Sequence, residues 1–161
     1  MVLRRMAALV ENFRIVGHPL FRRADLALFT RRFRPLSPVR DMIGSQAVKA
    51  QHALVRSGLP LASSGVWSDG TWTAIEAYPS PTRTSRCLTP GFTRLREEAW
   101  RRPTHSKNAR QDLDDAVWCA LVAAWWALSP QTFANPPDDP TTRQEGWIWL
   151  PKDCGPPIGK V

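Results

Sequence analysis

The segment NARQDLDDAVWCALVAAWWALSP, residues 108 to 130, limits what this chain can fold into more than any other stretch. Asn108 stands three residues before Gln111, the spacing of a capping box. Asp112, Asp114 and Asp115 crowd the first turns, where the helix dipole favours negative charge. From Ala116 to Leu128 the run carries no charge and is apolar nearly all the way round, with Trp118, Trp125 and Trp126 among its residues. A helix without a polar side is expected to be covered on more than one face, so the remaining segments have to supply that cover. The uncharged run is about thirteen residues, short of the roughly twenty that a membrane-spanning helix needs.

The segments available for that cover are mixed in type. Leu3, Met6, Ala7 and Val10 suggest an opening helix, FRIVGHPLF a short extended piece, and ADLALFTRRF a second helix ending before Pro35. A third helix is expected from Gln46 to Ser57, with Gly58 as its terminator. SGVWSDGTWTAIEAYPSP then reads as two short strands joined tightly at Asp69-Gly70, the second running from Thr71 to Tyr78. Trp72, Ala74, Glu76 and Tyr78 share one face of that strand and Thr73, Ile75 and Ala77 the other, which suits an interior position. TPGFTRLREEAWRR holds a short helix. After the long helix, NPPDDPTTRQ reads as a loop and EGWIWLP as a strand closed by Pro151, with Trp147 and Trp149 on one face packing together or against the long helix. The reading is one α/β domain over residues 1–151, with 152–161 as a flexible tail; 43% apolar residues and eight tryptophans favour a packed core over disorder.

The charge is unevenly spread. Residues 1–60 hold ten Arg and one Lys against Glu11, Asp25 and Asp41, a net of +8, while the remainder is neutral. Such asymmetry attracts a phosphate-rich partner towards one part of the molecule, and also merely solubilises Arg-rich helices. Arg31, Arg32 and Arg34 form the densest cluster and are the candidate contacts to a nucleic-acid backbone. Cys87, Cys119 and Cys154 are far apart and odd in number, which suits a reducing compartment. The amino terminus lacks the hydrophobic region of a secretory signal, so a cytoplasmic protein without membrane attachment is expected. Cys119 on the apolar helix reads as an inert buried thiol, and His18, His52 and His105 have no metal-ligand spacing.

Glu76 is the residue that asks for an explanation: a single carboxylate in an apolar strand either reaches solvent or meets a cation. Asp112 and Asp115 lie three apart on one helical surface, and with Glu76 they amount to three hard oxygen ligands of the kind a divalent cation needs. Acidic first turns are equally the ordinary chemistry of helix capping.

AIEAYPS at 74–80, DLDDAVWCALVAAW at 112–125 and EGWIWLP at 145–151 resemble, in order, three blocks of the DUF429 family, predicted nucleases of the RNase H-like superfamily. RRADLALF and IGSQAVKAQHALV resemble its preceding helical region less specifically, and the likeness spans roughly residues 20–151. The resemblance implies an RNase H-like fold, a mixed sheet with flanking helices, and hydrolysis of phosphodiester bonds with Mg²⁺ or Mn²⁺. It implies Glu76 as the strand carboxylate, Asp115 as the helix carboxylate nearest the metals, Asp112 as its companion and Asp114 in an intervening place. In such sites one ion activates the attacking water and the other stabilises the leaving oxygen. The family's opening strand with Gly-x-Asp has no counterpart here, so the expectation is an incomplete RNase H-like domain, inactive through loss of that Asp, or completed by a missing segment or a complementing chain. The alternative is a non-catalytic basic domain that binds nucleic acid or a protein partner.

Overall fold

The computed structural model describes residues 21–33, 35, 44–101 and 107–155, with the side chains of 44–48 and 107 outside the description. The apparent opening helix and Arg34 therefore lie outside the described residues. Helices and strands are mixed as expected. In chain order they are α1 (Arg23–Thr30), α2 (Gly44–Ser57), β1 (Leu61–Ser63), β2 (Val66–Ser68), β3 (Thr73–Ile75), α3 (Pro79–Thr82), α4 (Thr89–Ala99), α5 (Lys107–Leu128), a 3-10 turn (Pro130–Thr132) and α6 (Pro140–Glu145). They fall into two compact units, one of Met1–Ala74 with Asp138–Trp147, the other of Ile75–Pro137 with Ile148–Val161.

In the first unit α1 packs on α6. Ala24 and Leu28 are buried on α1, and Phe21 meets Phe29 edge to face at 5.0 Å. Asp25 is buried and charged, and its carboxylate accepts hydrogen bonds from the Arg22 backbone N–H at 2.9 Å and from the Arg22 guanidinium. A buried carboxylate needs such partners. The Glu145 carboxylate accepts the Arg23 N–H at 2.6 Å, tying the start of α1 to the end of α6. α1 ends in two interlocked bonds, Phe33 N–H to the Leu28 carbonyl and Arg32 N–H to the Phe29 carbonyl. These are the 6→1 and 5→2 bonds of a Schellman motif. Its left-handed position, usually glycine, is filled by Arg32 at φ 63°.

β1, β2 and β3 form a three-stranded sheet in that order, with β1 antiparallel to β2. The tight connection at Asp69-Gly70 is present, but β3 covers only Thr73–Ile75 and stands at the end of the strand order. The expected interior strand of eight residues is shorter: Thr71 and Trp72 are bonded to the Asp69 carboxylate in the turn, Glu76 bridges Ile148 outside this sheet, and Pro79 starts a helix. The β1–β2 turn passes directly over Trp147. A Cβ on Gly65, at φ 67°, would lie 2.4 Å from the Trp147 carbonyl oxygen. The sequence NPPDDPTTRQ is not all loop. Asp139 caps α6 by accepting the Thr142 N–H and hydroxyl at 3.0 and 2.8 Å, Pro140 occupies the first turn, and Gly146 follows the last residue.

In the second unit α5 is the packing surface for α3, α4 and the 3-10 turn. Val117, Trp118 and Val122 are buried, and Phe92 of α4 stacks on Trp118 with centroids 4.1 Å apart and rings 5° from parallel. Cover is incomplete, however. Ala116, Ala120, Ala123, Ala124 and Ala127 form an exposed stripe, and Leu128 is exposed as well. The cover expected on more than one face leaves this stripe out: small alanines make an apolar surface that costs little to leave in water. EGWIWLP is not a continuous strand. Glu76 bridges Ile148 in parallel and Phe133 bridges Pro151 in antiparallel, with Ile148, Trp149 and Leu150 buried. Trp149 meets Trp126 of α5 edge to face at 5.8 Å. Lys152–Gly155, read as tail, is held by hydrogen bonds, including Gly155 N–H to the Thr84 hydroxyl at 2.9 Å; 156–161 lie outside the described residues.

Two substitutions separate these constraints in thermal unfolding followed by far-UV circular dichroism. Arg32→Gly relieves a left-handed arginine and should stabilise by about 1 kcal/mol. Gly65→Ala combines backbone strain with a clash against main chain and should destabilise by about 2–4 kcal/mol. Gly70→Ala, also at positive φ but with nothing within 4 Å of the added Cβ, should cost only the strain, about 1 kcal/mol.

Candidate functional site

The acidic start of α5 is the candidate site, and its carboxylates have separate surroundings. Asp112 is exposed. Asp114, half-buried, accepts two hydrogen bonds on Oδ1, from Arg96 Nε at 3.1 Å and from the Trp100 indole N–H at 2.9 Å. The Arg96 guanidinium lies 3.7 Å from the Trp100 ring centroid, and Arg110 of α5 approaches the same ring at 5.4 Å. Asp115 is ion-paired with the Arg83 guanidinium just beyond α3. Helices α3 and α4 thus bring two cations to two adjacent carboxylates, of which Asp115 belongs to the expected ligand set and Asp114 holds the intervening place.

Glu76 is half-buried beside the end of β3. Its carbonyl accepts the Trp149 N–H at 2.9 Å, which places the residue in the bridge to Ile148. Among the described residues no three His, Cys, Asp or Glu side chains come together as a metal ion would need. Glu76, Asp112 and Asp115 therefore do not form the expected ligand set in this arrangement, and no step through Mg²⁺ or Mn²⁺ follows from it.

Of the three candidate nucleic-acid contacts, Arg31 is half-buried with its Nη1 shielded, Arg32 is exposed at the Schellman position, and Arg34 lies outside the described residues. The partners that sequence reasoning missed are Arg83, Arg96 and Trp100. Arg83 and Arg96 sit in segments rich in arginine, and no local spacing marks them as partners of residues 18 to 32 positions away.

Burial and then the Asp115 charge push the Cys119 thiol above its ordinary range. The exposed Cys87 thiol is pushed up by its hydrogen bond to Asp153 and by the charge of that carboxylate. Neither is set up as a thiolate nucleophile. Asp153 is itself the latch between residues 85–87 and 153. Burial works to raise its pKa, but the Cys87 N–H at 3.0 Å and the Ser85 hydroxyl at 2.9 Å outweigh it and hold the carboxyl below its usual range.

Asp114→Asn should destabilise by about 1–2 kcal/mol, because two donors lose a charged acceptor. Asp115→Asn breaks a pair at the surface and should cost under about 1 kcal/mol; denaturant titration of both variants separates them. Because the folded pKa of Asp153 is depressed, its stabilisation is complete above the ordinary carboxylate pKa and lost as pH falls through the folded value. Acid titration of Asp153→Asn should show a shallower loss of stability below about pH 4 than the parent chain. In the comparisons with known proteins, no family model, no curated protein and no solved structure matches this chain.

Proposed function

We propose that this chain is an RNase H-like domain of the DUF429 kind that holds nucleic-acid backbone without cutting it. The carrying observation is that Asp114 and Asp115 are each bonded to an arginine. A cation bound there would have to displace a guanidinium or accept its repulsion, at a cost that Asp112 alone, exposed at the surface, does not offset. The acidic turns then serve to dock α3 and α4 on α5. The net charge of +8 in residues 1–60 supplies the other half of the reading. Arginine and lysine neutralise backbone phosphates, release counterions and bind without regard to base sequence.

The test is anisotropy of labelled DNA and RNA oligomers over a salt series, paired with a cleavage assay in Mg²⁺ and in Mn²⁺. Affinity should fall steeply with salt, be similar across sequences, and be accompanied by no strand scission. Metal-dependent cleavage that disappears in Glu76→Ala and in Asp115→Ala would replace this reading with the phosphodiesterase one.

A further inference from the structure

The meander of the first unit brings four chain segments to one end of its sheet. α2 runs through Gly58 into the start of β1; β2 returns antiparallel and finishes there; and the turn from Asp69 to Trp72 leads into β3 at the same end. The bond from the Ser68 N–H to the Pro60 carbonyl and the hydroxyl contact of Ser68 with Thr73 at 2.9 Å hold these segments side by side. Among the described residues of the unit, the most exposed large apolar side chains lie on the segments that meet here: Trp72 is 72% exposed, Val55 79% and Leu61 54%.

Trp72 is held in place at its backbone. The Asp69 carboxylate accepts the N–H groups of Thr71 and Trp72 at 2.8 and 2.7 Å, and the Asp69 N–H bonds back to the Trp72 carbonyl. Those bonds keep the Asp69 carboxyl below its ordinary pKa, the Trp72 N–H contributing most. A large ring is thus presented to solvent on a fixed turn. α2, which leads into this end through Gly58, exposes Lys49, His52 and Arg56 at spacings of three and four, one helical face. Neither Lys49 nor Arg56 has an ion-pair partner among the described residues. The described part of α2 carries no acidic side chain.

We propose that this end of the sheet binds single-stranded nucleic acid, with Trp72 as the stacking platform for one base and Lys49 and Arg56 as contacts to flanking phosphates. An exposed indole offers a flat face to any base, and two free cations on one helical face suit an extended backbone. A duplex keeps its bases stacked on one another and gives Trp72 nothing to stack on. The inference rests on the nucleic-acid reading above and narrows it to one strand form and one surface.

The experiment uses the full chain and a fluorescein-labelled twelve-residue oligothymidylate, its duplex with oligoadenylate, and phosphatidylserine vesicles. The single strand should bind more tightly than the duplex. Trp72→Ala should weaken single-strand binding roughly tenfold with an unchanged salt slope, and Trp72→Phe should restore most of it. Lys49→Ala with Arg56→Ala should lower the slope of log affinity against log salt by about 0.7 for each lost phosphate contact. Unchanged circular dichroism, expected for solvent-exposed side chains, shows that the variants fold. If the parent chain binds the oligomer and Trp72→Ala binds it equally well, the stacking surface is wrong while the broader reading stands. If the parent chain binds neither nucleic acid at low salt, both fail. Vesicle binding that depends on Trp72, with the oligomer ignored, would assign this surface to anionic lipid and overturn the proposal.

Discussion

The second unit depends on the seam between α4 and α5. Phe92 and Trp118 lie flat on one another, and Asp114 binds Arg96 and Trp100 one turn further along. The stack excludes water from the middle of the seam, and an aromatic pair of this kind adds about 0.5–1.5 kcal/mol beyond the area it buries. The carboxylate sets the register, because one oxygen must meet two donors from residues four apart on α4 and just beyond it. Arg96 also lies over the Trp100 ring, so the ion pair and the cation–π contact restrain the same guanidinium. Apolar contact brings the helices together, and the charged bonds select one way of joining them.

That arrangement bears directly on function. A carboxylate can neutralise an arginine or ligate a divalent cation, and the geometry around it decides which. Asp114 and Asp115 have guanidinium partners delivered by α3 and α4, while Asp112 has the solvent side. Asp115, expected with Asp112 and Glu76 to hold a metal, is paired with Arg83; Asp114, between Asp112 and Asp115, is paired with Arg96; and Asp112 is a surface charge. The basic surplus of the first sixty residues is a different resource. Its exposed members Arg32, Lys49 and Arg56 are not consumed by ion pairs among the described residues, so they remain available to an anionic partner.

In the first unit the main chain sets the limits. The Gly65 turn lies so close to Trp147 that no side chain fits, and α1 is fastened at its start by Asp25 and Glu145 and at its end by the two Schellman bonds. Each of these satisfies a backbone group that would otherwise be left without a partner. The arginine at the left-handed position shows that the motif tolerates strain when the surrounding bonds demand it.

By itself the sequence determined the helices at Arg23–Thr30, Gly44–Ser57 and Lys107–Leu128 and the tight turn at Asp69-Gly70, and it left open whether Trp147 and Trp149 meet each other or the long helix, where Trp149 meets Trp126. Local rules suffice there, since apolar period, terminating residues and turn chemistry act over a few positions. The helix at Pro140–Glu145 reads as loop because of its run of prolines and acids, although Asp139, Pro140 and Gly146 mark its two ends. Only the tertiary structure decided that β3 would stop after three residues, that the long helix would leave an alanine stripe in water, and which arginine would meet which aspartate. Ion pairing is long in range and indifferent to order along the chain: nothing in the letters around Asp114 or Asp115 names Arg96 or Arg83. Which partner a carboxylate meets is therefore decided by packing.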